Sequence, residues 1–104
     1  MLNFLKKLLG MGATVDYKNL VNEGAIILDV RSVSEYASGH IKGSINIPVD
    51  QLGRNLNKLK DKDKTIITCC ASGMRSASAK SILKSAGYAN VYNGGAWSSL
   101  NSKI

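Results

Sequence analysis

Two cysteines stand side by side, Cys69 and Cys70, and the residues after them are small or flexible until Arg75. Thr65-Ile66-Ile67-Thr68 reads as a strand feeding Cys69 and Cys70, because β-branched residues suit a pleated, buried surface. Ala71-Ser72-Gly73-Met74 reads as a loop, and a helix is expected from about Ser76. Such a loop can curl around a sulfur atom and aim its backbone N–H groups inward as an anion-binding nest. The helix after it adds the positive end of its dipole. Both effects favour thiolate over thiol and would make Cys70 a nucleophile. Free cysteine is also among the most buried residue types, so a packing role is the default for an isolated one. The strand-loop-helix setting, with Arg75 at its end, moves Cys70 away from that default. Cys69, one place earlier on the strand, should face the other side and serve as packing.

The elements that must position this loop alternate along the chain. Asp16 is a plausible N-cap for a short helix carrying Tyr17, Leu20 and Val21 on one face, closed by Gly24. Ala25-Ile26-Ile27-Leu28 is a continuous apolar run ending in Asp29-Val30-Arg31, as suits a strand buried on both faces. Ser32 and Glu35 form a capping box for a helix running toward Ser38 and stopping at Gly39. Ile45-Asn46-Ile47 is a short strand ended by Pro48. Leu52, Leu56 and Leu59 follow helical spacing. After the cysteine loop, Ala79, Ile82, Leu83 and Ala86 share a helix face stopped by Gly87. A strand is expected over Ala89 to Tyr92, a turn at Asn93-Gly94-Gly95, and a last short helix opening at Trp97. Strands alternating with helices imply a single α/β domain with a mainly parallel sheet.

The chain has 104 residues, 44% of them hydrophobic and 20% charged, with a single Pro. That is one ordered domain with a modest core, and it excludes disordered, collagenous and low-complexity classes. Lys and Arg number 14 against 7 Asp and Glu, a formal charge of +7, which favours anionic partners. Arg54, Lys58, Lys60, Lys62 and Lys64 form a basic run broken by Asp61 and Asp63. Without interleaved aromatics it reads as solvated surface, so no nucleic-acid partner is expected. Neighbouring cysteines rule out a disulfide framework, and with His40 as the one histidine they argue against a four-ligand zinc site; no metal is expected. Low cysteine use fits a reducing cytoplasm. Residues 1–12 are expected to form an amphipathic leader, and 13–104 the domain. Leu2, Phe4, Leu5, Leu8 and Leu9 alternate there with Lys6 and Lys7, so the leader could touch a membrane surface or a partner. Its apolar stretch is short and glycine-broken for a secretory signal. The plainer expectation is a short helix on its own domain, or a frayed end.

With these residues in place, the sequence resembles the rhodanese-like domains over roughly Thr14 to Leu100. Asp29-Val30-Arg31 is followed by Glu35 and Tyr36. Next come the Gly39-to-Pro48 segment, the Cys70-Ala71-Ser72-Gly73-Met74-Arg75-Ser76 loop and Gly94-Gly95-Ala96-Trp97. Each piece alone is weak, but the four in order are specific. The resemblance implies a five-stranded parallel sheet with helices on both faces, and sulfurtransferase chemistry. The Cys70 thiolate would take sulfane sulfur from thiosulfate or a persulfide. The backbone of Ala71, Ser72, Gly73 and Met74 would cradle the resulting persulfide, and cyanide, a small thiol or a protein thiol would remove the sulfur. No metal or organic cofactor is implied. By charge, Arg75 would bind an anionic donor or the departing sulfite. Arg31 and Asp29 stand at a strand end where α/β sheets gather ligands. Arg31 would help bind the donor or join Asp29 in bracing the loop, and Asp29 is read as structural support. His40 falls in the family's structural signature and is expected as hydrogen-bonded scaffold. Trp97 and the glycines before it read as core packing and a turn.

Two rival readings use the same residues. Counted from Cys69, the chain gives Cys, five residues, then Arg75 and Ser76, which resembles the loop of cysteine-dependent phosphatases and arsenate reductases. That signature usually carries His before its cysteine, where Thr68 stands, and no aspartate is obviously placed as general acid. The other rival is non-catalytic: a persulfide-carrying or redox-sensing module that hands sulfur to a protein partner.

Overall fold

The computed structural model describes residues 14–104. The expected leader, 1–12, lies outside the described residues. In chain order the elements are α1 (Tyr17–Asn22), β1 (Ile26–Asp29), α2 (Val33–Ser38), β2 (Ile45–Asn46) and α3 (Val49–Leu52). A 3-10 turn (Leu56–Lys58), β3 (Ile66–Cys70), α4 (Met74–Ser85), β4 (Val91–Ala96) and α5 (Trp97–Asn101) follow. The strands form one sheet in the order β2-β1-β3-β4, and all three pairings are parallel. The sheet thus has four strands among the described residues, where five were expected.

Side-chain alternation along the strands builds two cores. Ile26, Leu28 and Val30 face one side with Ile66 and Cys70; there they meet Leu52 of α3, Leu59, and Ala79 and Leu83 of α4. Ile27, Ile67 and Cys69 face the other side, against Leu100 of α5 and the Leu20 and Val21 side of α1. Every residue of β3 is buried, which suits its β-branched Ile66, Ile67 and Thr68 and leaves the Thr68 hydroxyl to be satisfied inside the fold.

Local signals place most element ends. The Asp16 carboxylate accepts from the Asn19 amide, capping α1. The Ser32–Glu35 capping box is closed in both directions. After α4, the Gly87 amide bonds the Lys84 carbonyl and the Tyr88 amide bonds the Leu83 carbonyl, a Schellman ending. Two expectations need correction. The leucine spacing from Leu52 to Leu59 does not carry one helix. The Asn55 side-chain amide takes the Gln51 carbonyl at 2.8 Å, the acceptor a continuing helix would give to the Asn55 backbone. The Asn55 amide turns to Leu52 instead and the chain tightens into the 3-10 turn. Asn93-Gly94-Gly95 does not end the last strand either. β4 continues through Ala96 with a bulge: Thr68 pairs with Asn93 and Cys70 with Ala96, so β4 spends one residue more than β3. Gly95, at φ +77°, absorbs the extra residue. Gly94 lies so close to β3 that a Cβ there would sit 2.8 Å from the Thr68 carbonyl oxygen and 2.9 Å from Ile67 and Leu100 carbons.

The end of β1 is braced by a buried ion pair. Asp29 is fully buried and Arg31 is 4% exposed. The Asp29 carboxylate accepts from the Arg31 backbone amide at 3.0 Å, from Nε at 3.0 Å and from Nη2 at 2.7 Å. The same guanidinium donates to the carbonyls of Gly39 (2.7 Å) and Glu35 (3.3 Å), and lies 4.6 Å from the Trp97 ring centroid. One arginine therefore ties β1 to the middle and the C-cap of α2 and to the Trp97 ring that opens α5. The Asn46 amide adds bonds to the Asp29 and Arg31 carbonyls, pinning β2 to the same corner.

Asp29→Ala strands a buried guanidinium and should lower unfolding free energy by about 3–5 kcal/mol in urea titration. Gly94→Ala should cost about 1–3 kcal/mol by the same measurement, because the added carbon meets β3 backbone that cannot swing away.

Candidate active site

The site is built where β3 turns into α4. Cys70 ends the strand with its side chain on the α4 face, and three residues, Ala71 to Gly73, make the connection. Gly73, at φ +107°, acts as the N-cap, so α4 begins at Met74, two residues before the expected start. This turn brings two backbone donors onto one sulfur. The Gly73 amide lies 2.9 Å from Cys70 Sγ and the Ser76 amide 3.3 Å. Two N–H groups aimed at sulfur stabilise negative charge there before any substrate arrives.

The Ser76 donor is held from below. Ser76 and Thr68 are both fully buried. The Ser76 hydroxyl donates to Asn93 Oδ1 at 2.6 Å and lies 2.7 Å from the Thr68 hydroxyl, which is also 3.0 Å from the Ser76 carbonyl oxygen. Asn93 Oδ1 accepts as well from the Gly95 amide at 2.9 Å, and Gly73 packs on Gly95. The bulge in β4 is thus the floor of the cysteine loop. Sequence reading missed Thr68, Ser76 and Asn93 as contributors; the nearest signal was the Asn-Gly-Gly triplet, read as a turn.

Cys69 faces the second core, fully buried, beside Asp29 in strand register. Burial first, and then the Asp29 carboxylate, push its thiol up to about 12, with Arg31 opposing. It stays a neutral packing residue, as expected from strand alternation. Counting the loop from Cys69, as the phosphatase frame requires, puts the nucleophile on the wrong face of the sheet.

The other expected site residues are placed as follows. Ala71, Ser72 and Met74 are exposed, Met74 at 80%. Arg31 is spent on Asp29, Glu35 and Gly39, and none of its hydrogen bonds among the described residues reaches the loop. Arg75 does stand at the loop's end, but as an ion pair: Nη1 and Nη2 donate to Glu35 Oε1 and Oε2 at 2.7 and 3.0 Å. Glu35 was expected only as a helix cap. His40 stacks on Tyr36, centroids 3.7 Å apart, and its Nδ1 lies 2.8 Å from the Tyr36 carbonyl oxygen, a scaffold role. Cys70 itself has no solvent exposure, so some part of its shell must give way when a reactant arrives. A shallow depression beside Ala25 and Thr65 lies at the opposite end of the strands. No described helix is long and apolar enough to cross a membrane.

Known proteins are similar to this chain in sequence and in fold. The chain is 36% identical over 69 residues to the thiosulfate sulfurtransferase PspE of Escherichia coli, covering 65% of this chain and 66% of that one. It is 38% identical over 72 residues to the putative sulfur carrier protein YrkF of Bacillus subtilis, covering 69% of this chain but only 38% of the relative. The chain therefore spans less than two thirds of these relatives' own length. Among solved structures, a rhodanese with anions from E. coli superposes with a TM-score of 0.69 at 34% identity, covering 73% of this chain and 91% of that one. The human single-domain sulfurtransferase TSTD1 superposes with a TM-score of 0.70 at 30% identity, covering 84% and 90%. The rhodanese-like domain profile matches residues 13–99, and the chain belongs to the rhodanese-like domain family.

Proposed function

We propose that this protein is a sulfurtransferase that carries sulfane sulfur as a persulfide on Cys70. The observation behind this reading is the pair of amides, from Gly73 and Ser76, on the Cys70 sulfur. With thiosulfate as donor, the thiolate attacks the outer sulfur. The S–S bond to the sulfonate sulfur breaks, its electron pair leaves on sulfite, and a Cys70 persulfide anion remains. An acceptor nucleophile then attacks the terminal sulfur and Cys70 departs as thiolate; cyanide leaves as thiocyanate, and a thiol leaves as a persulfide. This is two-step covalent catalysis, and in both steps the charge stays on sulfur within reach of the loop donors. Donors are thiosulfate or a persulfide; acceptors are cyanide, a small thiol or a protein thiol. Ala71, Ser72, Gly73, Met74 and Arg75 line the approach in this reading, Asp29 supports it, and Arg31 acts with Asp29 rather than on the donor.

Residues 13–104 are the transferase unit in this proposal and 1–12 a leader attached to it. A reducing compartment, the cytoplasm, suits a protein whose working group is a free thiolate. The carrier reading, in which sulfur passes to a protein partner without brisk turnover of small donors, draws support from the enclosed Cys70 sulfur and from the relative named a sulfur carrier. Rapid turnover with free thiosulfate would count against it.

Intact-mass measurement after thiosulfate treatment should show a gain of one sulfur atom, lost on adding thiol. Cys70→Ser should abolish the gain and Cys69→Ser should keep most of it; a dead Cys69→Ser with a live Cys70→Ser would overturn the site. The Cys69 thiol carries its own pH signature. Its folded-state pKa is raised to about 12, so its contribution to stability is full below the unfolded value near 9.0 and is lost as pH rises toward 12. Over that window, urea unfolding of Cys69→Ala should lose stability with pH less steeply than the parent, by the equivalent of about one proton.

A further inference from the structure

The Arg75 guanidinium does not stand free at the rim of the loop. Its two terminal nitrogens are engaged, fork to fork, by the Glu35 carboxylate. That carboxylate is itself fixed in place. Its Oε1 also accepts from the Ser32 amide at 3.0 Å in the α2 capping box, and the Arg31 guanidinium holds the Glu35 carbonyl. The Arg75 bond and the cap together hold the Glu35 carboxyl down at about 2, so it is charged at every working pH. Both side chains remain partly open to solvent, 39% and 37% exposed, so a reactant entering the loop meets the pair rather than a lone cation. Arg31, the other arginine of this end of the sheet, is neutralised by Asp29. With both arginines paired, the donors that face the Cys70 sulfur are the amides of the loop and of the first turn of α4.

We propose that Glu35 is a specificity-determining residue of the sulfur-transfer site: by cancelling the charge of Arg75 it disfavours dianionic donors such as thiosulfate and favours singly charged ones, organic persulfides and thiosulfonates. The inference rests on the transfer reading above. By Coulomb's law, a unit charge placed about 6 Å from any bound monoanion in a high dielectric alters its binding by about threefold. For a dianion the Coulomb energy doubles, so the factor squares to about tenfold. The dependence on donor charge therefore separates this role from a merely structural one.

The test compares thiosulfate with methanethiosulfonate at low salt, with cyanide as acceptor. Both place one sulfur on Cys70, the first releasing sulfite and the second methanesulfinate, so the donors differ by one unit of charge. Glu35→Gln keeps the oxygen shared by Ser32 and Arg75, as a capping box allows, while it removes the charge and gives up the second Arg75 bond, the one at Oε2. It should lower KM for thiosulfate about tenfold and for methanethiosulfonate about threefold, with kcat little changed and the difference fading at high salt. Arg75→Gln leaves the carboxylate uncompensated and should raise KM for thiosulfate more than for methanethiosulfonate. Equal shifts for the two donors, or none in either variant, would overturn the role of Glu35 while leaving sulfur transfer intact. Failure of both donors to load Cys70 in parent and variants would overturn the transfer reading and this inference together.

Discussion

The amides of Gly73 and Ser76 can meet at one sulfur only because the chain passes from strand to helix in three residues. A longer connection would let the N–H groups point to water, and a different backbone at Gly73 would turn the first helical amides away from Cys70. Much of the fold serves that short passage. β3 is central and wholly buried, which fixes where the sulfur starts. α4 lies on Leu28, Val30 and Leu52 through Ala79 and Leu83, which fixes where its first turn must end up. The bulged β4 fills the remaining gap with Gly95 against Gly73 and Asn93 against Ser76. Cradle and core are therefore one cooperative object, and strain at either is felt at the other.

A second layer of charge keeps the neighbouring elements in step. Arg31 joins β1, α2 and the Trp97 ring, while Glu35 caps α2 and reaches across to Arg75. Both pairs place α2 at the mouth of the cysteine loop. The inner pair is desolvated and rigid; the outer pair is exposed, and its worth lies in the field it presents rather than in stability. Two arginines that look alike as free positive charges in the sequence thus have different tasks, set by what each carboxylate allows.

What was legible in the sequence was local. The Asp16 cap, the Ser32–Glu35 box and the Gly87 stop each have partners within five residues, and each is found in the structure. The opposite facing of Cys69 and Cys70 followed from strand alternation alone. What was illegible depended on distant partners or on signals shared by two geometries. Leucines at 52, 56 and 59 fit one long helix or two short pieces, and the Asn55 side chain decides between them. Asn-Gly-Gly marks a turn or a bulge equally well, and the pairing of β3 with β4 chooses the bulge. Glu35 meets Arg75 across 40 positions, a contact with no periodic trace in the chain. Arg31 stood between binding the donor and bracing the loop with Asp29, and its guanidinium bonds Asp29 and the Glu35 and Gly39 carbonyls.

The divergence of the two adjacent thiols has a cost in redox terms. With Cys69 turned into the other core, Cys70 has no internal resolving partner among the described residues. A sulfenic acid on Cys70 has no facing thiol in Cys69 with which to condense to a disulfide; a thiol from a second molecule relieves it, or further oxidant takes it on to the sulfinic stage. Restoration after peroxide exposure is therefore a bimolecular event, paced by the supply of external reductant.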